Sequence, residues 1–247
     1  IAQRLYSKGV IVYDISKLLV EHNEIKAGYE ADVNDTEKVD EILKEIYEKE
    51  KHIDIFINNA GFGIAGAIEN TKRDNIYNIV NTNLSAVIAL SSVAIKYLKS
   101  SGGGNIINIS SVGGVIPLPF QATYSATKAG VDIFSRALAN EVKPFKIKVT
   151  SILPGDTKTG FTSARVIDND ENDENYKNKV SQSIKKVEKD EQTGKSPDSV
   201  AKVVLKVLNK KRPPLRKTVG FWYKAAVFLP RVLSCKMINK IVSMLYC

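Results

Sequence analysis

The chain has 247 residues, 43% hydrophobic and 26% charged, a balance that excludes global disorder and suits one large domain or two small ones. No apolar run approaches the roughly 18 residues of a membrane-spanning helix, and two cysteines, Cys235 and Cys247, exclude a disulfide-stapled scaffold in favour of a reducing, cytoplasmic setting. The net charge of +9 sits at one end: 11 basic and no acidic residues follow position 200, against 25 basic and 27 acidic before it, so no nucleic-acid partner is expected and the tail reads as having a partner of its own.

The chain opens at Ile1 rather than Met, without a secretory signal and already in a helical pattern, which reads as a start inside a longer gene product. Ile1–Lys8 is amphipathic and stops at Gly9, and Val10–Tyr13 reads as a buried strand. A second strand is expected near Tyr29–Val33, then Asn34 or Asp35 as cap for a helix over Thr36–Lys51, with Val39, Ile42, Leu43 and Ile46 on one face. Ile53–Asn58, Asn105–Ser110 and Ile147–Leu153 read as strands. Between them lie helices over Thr71–Lys99, broken by Gly102-Gly103-Gly104, and over Thr123–Val142; Pro154-Gly155 ends the last strand. Asp168–Glu191 is polar and loop-like before turning helical, Pro197–Leu208 is helical, and Asn209–Lys217 reads as a basic linker to an apolar-rich tail. Strands spaced by helices predict an α/β doubly wound parallel sheet with helices on both faces. Ligands bind such sheets beyond the carboxyl ends of the strands, so the residues after positions 58, 110 and 153 are where chemistry is sought.

Ser111 follows the second of these strand ends. Tyr124 and Lys128 stand one turn apart on the next helix, so their side chains share a face. A tyrosine hydroxyl titrates near ~10, and a neighbouring ammonium lowers that value. The pair can then act as general acid and base on an alcohol or carbonyl whose oxygen the Ser111 hydroxyl also holds.

In order along the chain come Asn58-Asn59-Ala60-Gly61, Asn83, Ser111, Tyr124-Ser125-Ala126-Thr127-Lys128, Pro154-Gly155 and Thr159. This ordered set resembles the short-chain dehydrogenase/reductase family, nicotinamide-dependent oxidoreductases on a Rossmann-type sheet, over about residues 1–217. The resemblance implies that Tyr124 is the proton donor or acceptor, that Lys128 lowers its pKa and binds the nicotinamide ribose, and that Ser111 orients the carbonyl. It implies that Asn83 holds a water continuing a proton relay from Lys128. Asn59, Ala60 and Gly61 line the cofactor, Thr159 and the Pro154-Gly155 turn contact the nicotinamide carboxamide, and Asp32-Val33 meets the adenine. It further implies a substrate lid over 160–195 and a homo-oligomer; no metal is called for. The family's glycine-rich phosphate loop is absent, together with the strand before it. Gly61-Phe62-Gly63-Ile64-Ala65-Gly66 matches the dinucleotide fingerprint, but Asn81–Ser85 lacks the acidic residue that should follow.

Cofactor choice turns on the strand after Gly9. An ungapped count puts Ser16 and Lys17 at the discriminating positions, where a hydroxyl and a cation suit the 2′-phosphate of NADP; Asp14 would instead bind a ribose diol and favour NAD. The expected activity is an NADPH-dependent ketone or aldehyde reductase acting on a small-molecule carbonyl or alcohol. A sugar-nucleotide epimerase or dehydratase, and a catalytically idle cofactor-sensing or membrane-docking protein, are the alternatives.

His22 and His52 read as solvent-exposed, no G-x-S-x-G elbow occurs, and the acidic run Asp168, Asp170, Glu171, Asp173, Glu174 lacks the Gly and Glu of a calcium loop. The tail, 218–247, carries Phe221, Trp222, Tyr223, Val227, Phe228 and Leu229 before Pro230, then Leu233, Met237, Ile241 and Leu245 at i,i+4 beside Arg231, Lys236 and Lys240. That pattern predicts an amphipathic basic helix, docked peripherally on an anionic membrane or packed on the enzyme.

Overall fold

The computed structural model describes residues 1–18, 25–168 and 173–246; His22, Asp170, Glu171 and Cys247 lie outside the described residues. A short α1 (Ala2–Tyr6) leads to β1 (Tyr13–Ser16), β2 (Ala27–Glu30), α2 (Thr36–Glu50), β3 (Ile55–Asn58) and β4 (Ile64–Ala65). There follow α3 (Arg73–Val80), α4 (Ala86–Ser100), β5 (Gly104–Ile109), α5 (Ala122–Glu141), β6 (Ile147–Leu153) and β7 (Val166–Ile167). The chain closes with α6 (Lys177–Gln192), α7 (Pro197–Leu208), β8 (Arg216–Thr218), α8 (Phe221–Phe228) and α9 (Cys235–Tyr246).

Every described ladder is parallel: a four-stranded sheet in the order β3-β5-β6-β8, a β1-β2 pair and a small β4-β7 pair. Successive strand residues face opposite ways, and the core shows it. Ile106 packs with Leu98 of α4 and Leu138 of α5, whereas Ile107 packs with Val204 and Val207 of α7. Helices thus cover both faces of a doubly wound Rossmann-type sheet, as the alternation of elements predicted. Asp35, not Asn34, caps α2, accepting from Lys38 N at 2.9 Å.

Three expectations need correction. The first strand is Tyr13–Ser16, because its ladder runs from Tyr13 opposite Ala27 to Ser16 opposite Glu30; the apolar run Val10–Val12 precedes the pairing. The basic linker contains β8, whose short polar sequence is tolerated because it pairs on one side only, with β6, as edge strands often do. The helix from Arg73 to Ser100 is, by length and composition, apolar enough to cross a membrane. Here it is a core helix, with Ile79, Asn83 and Leu98 fully buried, and a π-helical turn over Asn81–Ser85 interrupts it. Such turns concentrate at functional sites because they re-aim side chains.

The end of the chain is built into the domain. Val227 of α8 joins a cluster with Val112 and Leu153, and α9 buries Ile238 and Val242. Of the two placements expected for the stripe Met237, Ile241 and Leu245, the packed one does not occur: the stripe is exposed, together with Met244. α9 packs inward through the adjoining positions Ile238 and Val242.

Candidate active site

Past the end of β5, the Ser110 hydroxyl donates to Lys128 O at 2.7 Å, tying the strand end to α5. Ser111 caps the turn over 112–114 by accepting from Gly113 N at 3.0 Å. That turn lies so close to α5 that a Cβ on Gly114 would sit 2.6 Å from the Lys128 carbonyl carbon. Close approach is what glycine permits there, and it brings the Ser111 hydroxyl into hydrogen bonding with Tyr124.

Tyr124 and Lys128 are both buried on the inner face of α5. Burial pushes the Tyr124 phenol up to about 12, the Ser111 bond opposing the shift. Burial also lowers Lys128 to about 8. Its Nζ donates to Ile109 O at 3.0 Å and stands 5.9 Å from the Tyr124 ring centroid. Burial is the largest influence on the phenol here, and its direction is upward.

Asn83 is fully buried in the π-helical turn. Its carboxamide clamps the backbone of Phe62, accepting from Phe62 N at 3.0 Å and donating to Phe62 O at 2.8 Å. The clamp fixes the chain just past β3, where Gly61 lies between Asn83 and Lys128. A Cβ on Gly61 would stand 2.9 Å from Asn83 Oδ1 and 3.3 Å from Lys128 Nζ.

Beneath these groups runs a buried polar network that sequence reasoning missed. Asn58 faces Asn108 in the β3–β5 register and donates to its Oδ1 at 2.8 Å and to Ser91 Oγ at 3.0 Å; Asn108 donates to Ser135 Oγ at 2.9 Å. The alternation of β5 gave a signal, since an Asn between Ile107 and Ile109 in a buried strand must find a partner.

A cavity of about 1490 Å³ joins these parts. Ser16, Val33, Asn59, Ala60, Gly61, Ser111, Tyr124, Lys128, Pro154, Gly155 and Thr159 all line it, while Asn83, Lys17 and Asp32 do not. Lys17 pairs with Asp32 at 2.7 Å, and Ser16 donates to Asp14 Oδ2 at 3.0 Å. The two sites read as adenine-binding and phosphate-binding are thus joined by an ion pair, and the Asp14 carboxylate lies beside the serine. The fingerprint-like run from Gly61 to Gly66 enters β4 and then the short turn Ile68–Asn70, not a helix N-terminus, so it makes no phosphate loop. The segments beyond the ends of β3, β5 and β6 leave room of the kind the nicotinamide end of a dinucleotide would need, Gly61 keeping open a gap where a Cβ would strike Asn83 and crowd Lys128.

Within 160–195, Gly160, Phe161, Ala164, Val187 and Glu191 line the same cavity. Phe161 lies 5.7 Å from the Tyr124 ring. Behind it, buried Arg165 pairs with Glu191, which also accepts from Thr162 Oγ1 at 2.6 Å. On the opposite wall Tyr223 of α8 lies flat against Gly155, where a Cβ would meet the ring at 2.4 Å, and its hydroxyl donates to Asp156. Burial holds the Asp156 carboxyl above its usual range. Of the groups set aside in the sequence, His52 bonds Asp54 at 2.8 Å on the surface, Asp168 accepts from Asn75 Nδ2 at 2.8 Å, and Cys235 is a free, exposed thiol. No metal-binding cluster occurs among the described residues.

A parallel doubly wound sheet with a serine, a tyrosine and a lysine gathered at its strand ends defines an oxidoreductase-type α/β site. The short chain dehydrogenase model matches residues 1–170. Over 220 residues, 89% of this chain and 82% of the relative, the sequence is 37% identical to the 3-ketodihydrosphingosine reductase of Bacteroides thetaiotaomicron. It is 31% identical over 161 residues, 62% of this chain and 65% of the relative, to the 3-oxoacyl-[acyl-carrier-protein] reductase of Thermotoga maritima. Among solved structures, a short-chain dehydrogenase from Streptomyces avermitilis superposes with a TM-score of 0.82 at 24% identity, covering 98% of this chain and 89% of that one. A 3-ketoacyl-(acyl-carrier-protein) reductase from Brucella melitensis, complexed with NADH, gives 0.73 at 23% identity, covering 88% and 89%. The chain belongs to the short-chain dehydrogenase/reductase family and is an oxidoreductase.

Proposed function

We propose that this enzyme is an NADPH-dependent ketone reductase whose substrate is a long-chain keto amphiphile. The observation that carries the reading is that Ser111, Tyr124 and Lys128 line one cavity together with the apolar side chains of Leu229, Ile238, Ile241 and Leu245. The 37% identity to a 3-ketodihydrosphingosine reductase supports the substrate class.

A nicotinamide dinucleotide supplies the hydride chemistry, with Asn59, Ala60, Gly61, Pro154, Gly155, Thr159 and Lys128 holding its nicotinamide end and Ser16, Lys17, Asp32 and Val33 its adenosine end. Ser111 and Tyr124 donate hydrogen bonds to the substrate carbonyl oxygen, stabilising the negative charge that develops there. Tyr124, kept protonated by burial, gives its phenolic proton to that oxygen. Lys128, charged below about pH 8, stabilises the phenolate left behind, and Asn83 acts by holding the Phe62 backbone. The segment over 160–195 serves as the lid, Phe161 closing over Tyr124. The enzyme works in the cytoplasm as a homo-oligomer, exposed Ile133 and Tyr77 being apolar positions a second copy would cover. Its basic α8–α9 face meets an anionic membrane surface.

Replacing Tyr124 by Phe removes one hydroxyl and almost no packing. Ketone reduction is expected to fall by ~10²–10⁴, with the circular dichroism spectrum and cofactor affinity unchanged. A variant keeping more than a tenth of the activity would refute the assignment.

A further inference from the structure

The two C-terminal helices have an inner and an outer face with opposite characters. Inside, Tyr223 lies on Gly155, Val227 enters the core, and Ile238 and Val242 are buried. Outside, Phe221 and Trp222 are 73% and 80% exposed, and Phe228, Val232, Met237 and Met244 are exposed with them. Among the described residues, Lys224, Arg231, Lys236 and Lys240 pair with no carboxylate. Lys217, partly buried, is lowered further by the charges of Lys224, Lys210 and Lys206, a sign that positive charge gathers here without neutralisation. Three residues belong to both sides: Leu229, Ile241 and Leu245 line the cavity and are also exposed, so the cavity opens through this surface.

Aromatic and aliphatic side chains among unpaired cations suit the boundary between lipid headgroups and acyl chains. A second copy presenting the same all-basic face would meet like charge. An anionic bilayer complements both the charge and the apolarity of the patch.

We propose that the enzyme takes its substrate directly from the bilayer: the outer face of α8 and α9 rests on an anionic membrane, and the mouth at Leu229, Ile241 and Leu245 draws one hydrocarbon chain of the amphiphile into the cavity. This rests on the ketone-reductase and membrane-docking readings above and adds the route between them. It makes the apolar cover of the active site and the membrane contact one device, so that the chain never crosses water.

Trp222 is the lone tryptophan of the chain, which makes the contact directly readable in the full protein. Vesicles of phosphatidylglycerol and phosphatidylcholine are expected to shift its emission to the blue and expose it to quenching by brominated lipids. Vesicles of phosphatidylcholine alone should not, and salt should reverse the effect. With Phe221 and Trp222 both changed to Ser, kcat/KM for a vesicle-borne long-chain ketone should fall at least tenfold, and that for a short water-soluble ketone should stay within twofold. Ile241→Arg should lower kcat/KM for the long-chain ketone at least tenfold more than for the short one while vesicle binding persists. An unmoved Trp222 emission on both vesicle types would remove the docking reading and this route with it. Vesicle binding with equal losses on both ketones would overturn the route and leave docking and reduction standing. Wild-type protein inert toward the short ketone would remove the reductase reading, on which the route depends.

Discussion

The corner where β5 meets α5 and the cover formed by α8 and α9 treat their side chains in opposite ways. In the corner, polar groups are buried and answered internally: Asn58 by Asn108, Asn83 by the Phe62 backbone, Lys128 by Ile109 O. On the cover, apolar groups such as Trp222 and Met244 are displayed to solvent beside cations that, among the described residues, pair with no carboxylate. Folding free energy accounts for the first pattern, since an unanswered buried polar group costs about 1–3 kcal/mol. It does not account for the second, because exposed aromatics add nothing to the stability of the chain that carries them. The corner is organised around what it contains and the cover around what lies outside it.

The sharpest way to break this contrast is at Lys128. Lys128→Met is expected to lower ketone reduction by ~10²–10⁴. In the wild type, kcat/KM for reduction should fall above pH about 8 as Lys128 loses its proton; the variant's profile should be flat there. The stability effect has a definite sign. The native pKa of Lys128 lies below its unfolded value, so between about pH 8 and pH 10 the unfolded chain binds more protons and stability rises with pH. Burying the ammonium costs about 3 kcal/mol at lower pH, an order of magnitude that Lys128→Met should recover. Urea unfolding of both proteins at pH 7 and pH 9.5 measures this, and a wild type no more stable at the higher pH would show that the lysine is not desolvated.

A smaller effect tests the cover from its inner side. Val227→Ala, a buried truncation beside Val112 and Leu153, should cost about 2 kcal/mol, read as a drop in urea midpoint. Next, Lys17→Ala should weaken NADPH about tenfold more than NADH through the lost charge-assisted contact. Asp14→Ala should do the reverse by freeing Ser16. Equal losses for both cofactors would mean that Lys17 serves only its ion pair with Asp32. The smallest change is expected at Trp222→Ala, within about 0.5 kcal/mol of the wild type in stability. A loss as large as that of Val227→Ala would show that the outer face is core after all.

Sequence reasoning reached the sheet order of business and the chemistry wherever a local signal existed. Ile147–Leu153 is a strand buried at every position but Lys148 and was bounded correctly, because a largely apolar β-branched run ending in Pro-Gly has few other solutions. Ser111, Tyr124 and Lys128 come together as the helical spacing requires. What escaped was set by partners distant in sequence. The Asn83 clamp depends on Phe62, 21 positions away, and on a π turn that no periodicity announces. Tyr223 finds Gly155 and Asp156 only because α8 folds back over the strand ends. Strand β8 is hydrophilic by composition and is a strand only because β6 offers it an edge. That α9 packs through Ile238 and Val242 was likewise decided by its contact with α6, not by the hydrophobic spacing itself.

The two separate ladders carry a last consequence. Among the described residues, strand β1 pairs with β2 alone and β3 with β5 alone. Residues of both, Tyr13–Ser16 and Ile55–Asn58, line the same cavity, and Ile55, Phe56 and Ile57 remain half-buried where β6 in the same sheet is buried. Backbone donors and acceptors along these open edges form a double template for an extended segment running parallel to both. An extended apolar segment paired along the β3 edge would bury Ile55, Phe56 and Ile57 further. The fold is therefore open to complementation: such a strand, supplied as a separate peptide, would raise the unfolding temperature with its concentration by ordinary mass action.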